Sequence, residues 1–417
     1  MTQTTGFTDD TEERGPLSGI KVIEVALAMA GPYCGLMLAD YGADVIKVER
    51  AGRGDESRYW PPYFNDKVSH YFAAVNRNKR SLAIDLKSPE GVEVLRKLAS
   101  EADVLLDNFR IGVLDRLGLG YDDLKKINPR LIYCSISGFG ASGPRRDERA
   151  NDAIMQAYSG GMNLTGYPGE PPAKMGISVA DIGAGLFGTI GILMAIEARH
   201  RTGQGQRVDT SLLEGQVAMM ANHYTSFFST GRPPTRKGSS GQGMVPYQAF
   251  QAKDDWMAVA SFTEVMWAGV CRAIDTPEWI EDERYHNANM RFQNRDDLIG
   301  KLSDIFAAQP VSYWEKRMHA EGVPFTRVNS IDRVAEEKQV QARDMIRTVM
   351  HPEAGRIRMA GLPLKFSDTP GDIHAPPPLL GQHSAEVLAG LGYDQAEIDN
   401  LIAENVVEIP NADKAAE

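Results

Sequence analysis

The sequence predicts an α/β protein: a large domain with a parallel, doubly wound sheet and a smaller second domain. Three observations carry this. Strand-length apolar runs alternate with helix-period segments from Ile20 to Thr210. Caps and turn residues stand where each unit must start or stop. Between Gly231 and Gly243 the composition shifts to Gly, Pro, Ser and basic residues, which reads as a linker or mobile loop ahead of a second globular segment, about Tyr247 to Val328.

Ile20 to Val25 reads as the first strand. Gly31-Pro32 opens a helix to Tyr41, and Gly42 suits its stop. Val45 to Val48 closes a β-α-β unit. Leu82 to Asp85 is the next strand. Ser88-Pro89 supplies a cap and a first-turn proline, and Val94, Leu95, Leu98 and Ala102 form an apolar helix face. Val104 to Leu106 and Leu131 to Ile136 add two strands. After a helix that follows Asp181 and a turn at Thr202–Gln206, Arg207 to Thr210 reads as a strand and Leu212 to Ala221 as a helix. Further helices are expected near Val334–Met345 and from Ser384 to Leu391. In such a sheet ligands sit beyond the carboxyl ends of the strands, which here carry Ala26–Ala30, Glu49-Arg50 and Asn108-Phe109.

Length and composition bound the function. At 417 residues the chain can form two domains and a large core. A net charge of −11 argues against general nucleic-acid binding. Three cysteines without a C-x-x-C pair, and eight scattered histidines, give neither a disulfide framework nor a metal site. The polar, acidic start lacks the pattern of a signal peptide, and the apolar run Ile182–Ile196 reads as too short and Gly-rich for a membrane span. The expectation is a cytoplasmic protein with no membrane partner and with flexible tails at 1–15 and 410–417.

The residue that matters most is Asp181, between an apolar run and a Gly/Ala-rich helix. As a cap it would accept a backbone N–H of the first turn. As a reagent it would be a nucleophilic carboxylate that the helix N-terminus keeps ionised. The two readings are compatible. Gly183-x-Gly185-x-x-Gly188, with Asp209 downstream, matches a dinucleotide-binding pattern, but its mid-chain position and the adjacent Asp181 charge weigh against it. The alternative is a helix whose glycines permit close packing. Lys47, Arg50, Arg53, Arg58, Arg77, Lys79 and Arg80 cluster early. They read either as solvated loops or as a patch for a polyanionic ligand.

Ordered motifs place these features together. They run from Pro16-Leu17-Ser18-Gly19-Ile20-Lys21-Val22-Ile23 and Ala30-Gly31-Pro32 through Gly42-Ala43-Asp44-Val45-Ile46-Lys47-Val48-Glu49 and Asn78-Lys79-Arg80-Ser81. Lys87-Ser88-Pro89-Glu90-Gly91, Asp107-Asn108-Phe109, Leu114-Asp115-Arg116-Leu117-Gly118 and Gly138-Phe139-Gly140 follow, and Pro378-Leu379-Leu380-Gly381-Gln382-His383 closes the series. Over about residues 16–408 the chain resembles the class III CoA-transferases, the carnitine-dehydratase and bile-acid-inducible family.

The resemblance implies a Rossmann-like large domain built from both chain ends (16–225 and 345–408), a small middle domain (235–330), and an interlocked homodimer. It implies no permanently bound cofactor and no metal, with acyl-CoA and a small carboxylic acid as substrates. Asp181 takes the nucleophile's position and Asp152 that of a nearby acid, which reads equally as a helix-start residue. CoA contacts fall on Ala28, Met29, Ala30, Arg50, Leu86, Asn108, Phe109, Arg116 and Arg149. The expected activity is CoA transfer from an acyl-CoA, for instance succinyl-CoA, to a free acid, for instance a dicarboxylate, through an aspartyl-CoA thioester. The alternatives are a 2-methylacyl-CoA racemase, disfavoured because Asn151 stands where that branch has a histidine, and a non-catalytic CoA-binding protein. A nicotinamide-dependent oxidoreductase is more remote. Gly238–Gly243 corresponds loosely to a glycine-rich lid.

Overall fold

The computed structural model describes residues 7, 15–241 and 243–410. They fall into two compact units, one within Met1–Gly161, Lys174–Ser226 and Gln339–Glu417, the other within Met162–Ala173 and Phe227–Lys338. Residues 162–173, expected in the large domain, go with the smaller unit. The Gly238 N–H donates to the Gly166 carbonyl (2.9 Å), tying that excursion to the loop after residue 230.

In the larger unit β1 (Lys21–Val25), α1 (Ala30–Asp40), β2 (Asp44–Arg50), α2 (His70–Asn76), β3 (Lys79–Ile84), α3 (Pro89–Glu101), β4 (Val104–Asp107) and β5 (Ile132–Ser137) come first. Then follow α4 (Asp152–Tyr158), α5 (Val179–Thr202), β6 (Arg207–Ser211), α6 (Leu212–Met219) and α7 (Ala221–Thr230), whose residues from Phe227 onward fall in the smaller unit. The smaller unit carries an antiparallel sheet of β7 (Tyr247–Gln251), β8 (Trp256–Ala260) and β9 (Phe325–Arg327). Its core is built on Phe250, Met257, Trp267, Phe306 and Trp314. Back in the larger unit, β10 (Ile346–His351) and β11 (Gly355–Ala360) form a hairpin, and β12 (Val407–Glu408) ends the described chain's regular structure.

The seven-stranded sheet has the order β12-β3-β2-β1-β4-β5-β6. All its pairs are parallel except β12 with β3, where Val407 stands opposite Ile84. Alternating side chains bury both faces. Ile23, Ile46, Leu82 and Leu105 enter one core with Leu95 and Leu98 of α3, while Val22, Val45, Leu106 and Ile136 enter the other with Cys34, Leu38 and Ile192. The chain leaves β1 toward β2 and β3, then crosses back to β4, so the order reverses between β1 and β4. That switch point opens a crevice at the strands' carboxyl ends.

Several expectations are corrected. β3 begins at Lys79, not Leu82. Its polar start is buried because Lys79 pairs with Glu24, Arg80 with Asp44, and Ser81 with Glu49. The helix expected at Leu212–Ala221 is two helices, α6 and α7, and that near Val334–Met345 is two short ones, Ile331–Ala335 and Lys338–Ala342. The tails at 1–15 and 410–417 lie largely outside the described residues, and of the first of them Phe7 packs into the main core. Ile182–Ile196 belongs to the 24-residue α5, which length and composition would let cross a membrane. One half of α5 is buried, packing closely on α1, β5, β6 and α6.

The glycines of α5 are packing devices. A Cβ at Gly185 would sit 2.7 Å from the Ala30 carbonyl oxygen, and one at Gly188 would sit 2.7 Å from the Ile136 side chain. The G-x-G-x-x-G pattern lies inside a helix and not in a strand-to-helix turn, which removes the dinucleotide reading.

Candidate active site

At the switch point lies a cavity of about 570 Å³ lined by residues of the larger unit. Its walls come from the loops after β1, β4 and β5 and from the starts of α4 and α5.

The loop after β1 is held atom by atom. Asn108 accepts from the Leu27 N–H (2.9 Å) and donates to the Leu27 carbonyl (2.8 Å). Both carboxylate oxygens of Asp55 lie 3.2 Å from the Ala28 nitrogen. Ala28 has φ +63°, a left-handed conformation that L-residues other than Gly, Asn and Asp seldom adopt.

The second wall is the start of α5. Ser178 is its N-cap position and Asp181 stands three residues on, so Asp181 is not the cap. The first-turn bond expected of it comes from Asp152, whose Oδ1 accepts the Ala180 N–H at 2.9 Å. The other Asp152 oxygen accepts from Gln156 (2.7 Å) and lies 3.7 Å from the Lys174 ammonium. Asp152 opens α4, as the helix-start reading holds, but its bonds run to α5 and Gln156.

The Asp181 carboxylate lines the cavity and accepts no hydrogen bond among the described residues. Burial, reinforced by the Asp152 charge and only partly offset by Lys174, pushes its pKa up to about 7. Desolvation thus opposes the ionised state that the helix N-terminus favours. Tyr71 and Trp60 complete this wall. Burial and the Asp181 charge hold the tyrosine's pKa up at about 12, so it remains a proton donor near neutrality.

Most of the early basic cluster is committed within the fold. Lys47 is fully buried between Glu24 and Asp55, Arg58 grips Glu49 with two nitrogens, and Arg77 is bound to Asp40. These cations neutralise buried carboxylates and are closed to a ligand. Arg50 is exposed and in no ion pair among the described residues, while Arg53 pairs with exposed Glu56.

Residues 17–384 match the family model of CoA-transferase family III. The chain belongs to CoA-transferase family III. Among its relatives, succinyl-CoA:glutarate CoA-transferase of Mus musculus is 37% identical, with 96% of this chain and 92% of that one covered. Succinate–glutarate CoA-transferase of Agrobacterium fabrum is 38% identical, covering 92% of this chain and 98% of its own. A crystal structure of a CAIB/BAIF family protein from Brucella suis superposes with a TM-score of 0.81 at 35% identity, covering 91% of this chain and all of that one. The protein is thus a class III CoA-transferase.

The family positions can be placed on this geometry. Ala28, Met29, Ala30, Asn108, Phe109, Arg149, Asp152 and Asp181 line the one cavity. Arg50, Leu86 and Arg116 do not. Leu86 lines a separate groove with Lys87, Arg96 and Tyr393. Arg50 ends β2, and Arg116 lies in the short helix Asp115–Leu117. Asn108 has both ends of its side-chain amide committed to Leu27, so its side chain shapes the loop. Sequence reasoning missed Tyr71, Trp60 and Lys174. The caps and aromatics around them carry no spacing signal, since the three reach the cavity from separate segments. Asn151 caps α4 by accepting the Ile154 N–H (3.1 Å). The closing motif Pro378–His383 ties the C-terminal segment to β3: Ser81 donates its N–H to the His383 ring (3.1 Å) and accepts the Gly381 N–H at its hydroxyl (2.9 Å).

Proposed function

We propose that the protein moves CoA from an acyl-CoA to a free carboxylic acid through covalent intermediates on Asp181. The observation that carries this is a carboxylate without hydrogen-bond partners among the described residues, at the head of a 24-residue helix, lining the switch-point cavity. Asp181 attacks the thioester carbonyl, giving a mixed anhydride and CoA thiolate. The thiolate then attacks the aspartyl carbonyl, releasing the first acid and leaving an aspartyl-CoA thioester. The incoming carboxylate reverses the two steps and restores the aspartate. One thioester replaces another, so the exchange is close to balanced without ATP, a metal or a resident cofactor. Each addition develops an oxyanion near the positive end of α5, where backbone dipoles favour it. The Tyr71 hydroxyl is a donor on the same wall.

Succinyl-CoA as donor and a dicarboxylic acid such as glutarate as acceptor form the first pair to test, given the activities of the mouse and Agrobacterium relatives. CoA is read against Ala28–Ala30, Phe109 and Arg149, with Arg50, Leu86 and Arg116 reaching parts of the ligand beyond the cavity. The racemase reading loses support because Asn151 is a helix cap and carries no titratable proton.

We read the enzyme as an interlocked cytoplasmic homodimer whose large domain takes both chain ends and whose small domain is inserted between them. Leu186, Ile190, Leu193 and Met194 support the dimer, since they leave an apolar stripe exposed along α5. Incubation with succinyl-CoA, trapping with hydroxylamine and peptide mass spectrometry test the mechanism. A hydroxamate on the peptide containing Asp181 is expected. Transfer of CoA at the wild-type rate by Asp181→Ala would refute it.

A further inference from the structure

The loop that begins the cavity is fixed by groups the chemistry itself does not use. Lys47 donates to the Ala26 carbonyl at 2.7 Å. Asn108 takes both polar groups of Leu27, and Asp55 takes the Ala28 N–H. Three consecutive residues thus have their backbone secured from behind, and the groups that hold the two ends of the set, Lys47 and Asp55, form an ion pair of 3.0 Å with both side chains fully buried. Glu24 lies on the far side of Lys47 and is shared with buried Lys79, so two cations meet two carboxylates. Burial pulls the Lys47 pKa down, but Glu24 and Asp55 more than reverse that and raise it. An ion pair so deep is a costly way to stabilise a fold, and its attested use is to specify one arrangement against others. The arrangement specified is a left-handed Ala28, which no glycine is present to ease.

We propose that Lys47 and Asp55 are positioning residues for the CoA ligand, acting by holding Ala28 in its left-handed conformation and so fixing the wall of loop 26–29. This rests on the reading that the cavity takes CoA. Asp55 also anchors Ser57 through its backbone N–H (2.9 Å) and hydroxyl (2.8 Å), which joins the loop to the segment leading to Trp60 on the same cavity wall.

The test is a double-mutant cycle in the full-length protein, read as the dissociation constant for free CoA by calorimetry. Asn in place of Asp55 keeps the shape, but it loses the charge that pairs Lys47 and turns an NH2 group, in place of one of two oxygens, toward the Ala28 N–H. Asp55→Asn is expected to weaken CoA binding about 5- to 30-fold, the equilibrium equivalent of the strain in one left-handed residue. In an Ala28→Gly background the same change is expected to cost less than about threefold, because glycine adopts the conformation unaided. Equal losses in both backgrounds would overturn the proposal. If Asp55→Asn fails to fold, Ala28→Val and Ala28→Asn decide. The two side chains are similar in size, but asparagine tolerates the left-handed region and valine does not. Valine alone should weaken binding, and equal weakening by both overturns the idea. Wild-type protein that does not bind CoA would instead sink the reading on which the proposal rests.

Discussion

Replacing Asp181 with Asn should abolish CoA transfer and at the same time stabilise the protein, with a pH signature that identifies the cause. In the folded enzyme burial and the Asp152 charge raise the Asp181 pKa from 3.8 to about 7. Between those values the unfolded chain has lost the proton and the folded chain still holds it. Stability must therefore fall as pH rises from about 4 to 7, and level off above. A shift of about three pH units, at about 1.36 kcal/mol each, sets a ceiling near 4 kcal/mol. Because Asp181 keeps some solvent contact, about 2–4 kcal/mol is the working figure. Asn has no charge to bury and avoids that cost. Thermal unfolding of both proteins at pH 5 and pH 8 should show the variant more stable at both, with the gap clearly wider at pH 8. A gap that is constant, or that narrows with pH, would refute the argument from desolvation. Gain of stability on loss of a reactive group is the trade expected where a site is strained for function.

Wild-type formation of the Asp181 adduct should rise with pH through about 7, since only the carboxylate attacks, and stopped-time trapping with hydroxylamine measures it. Asp152→Ala removes the negative neighbour and the bond to the Ala180 N–H, so this pH midpoint should move down while thermal stability drops by about 1–2 kcal/mol. Gly185→Ala puts a methyl 2.7 Å from the Ala30 oxygen and should destabilise by about 1–3 kcal/mol in denaturant titration. Ile190→Arg, on the exposed stripe of α5, should shift the sedimentation coefficient from dimer toward monomer; an unchanged value would remove that stripe from the interface.

Much of the sheet was legible because its strands are apolar runs and its helices carry ordinary caps. Ser88 caps α3 as its sequence suggests, accepting the Gly91 N–H at 2.9 Å. What hid β3 was charge: Lys79 and Arg80 read as surface until Glu24 and Asp44 are placed beside them by other strands. For the same reason the basic cluster read as solvated loops or a ligand patch, when most of its cations are paired within the fold. A sequence reports that a lysine is present, but its partner is set by tertiary structure. At the site, Asp181 and the loop of Ala28–Ala30 were reachable through ordered motifs. The cap role of Asp152 was not, since its target, the Ala180 N–H, lies 28 positions further along. The raised pKa of Asp181 was likewise out of reach, because desolvation depends on how the other cavity walls close around it.

The antiparallel edge strand β12 has a consequence for biosynthesis. Its partner β3 leaves the ribosome 323 residues earlier, from Ile84 to Val407. At about 5–20 residues per second that is a wait of roughly 16–65 s. Throughout that interval one rim of the nascent sheet offers unpaired N–H and C=O groups, the geometry that recruits foreign strands. A slow step or stall near the end of translation would prolong this exposure, so yield of soluble enzyme should depend on chaperone supply more than on the stability of the finished fold.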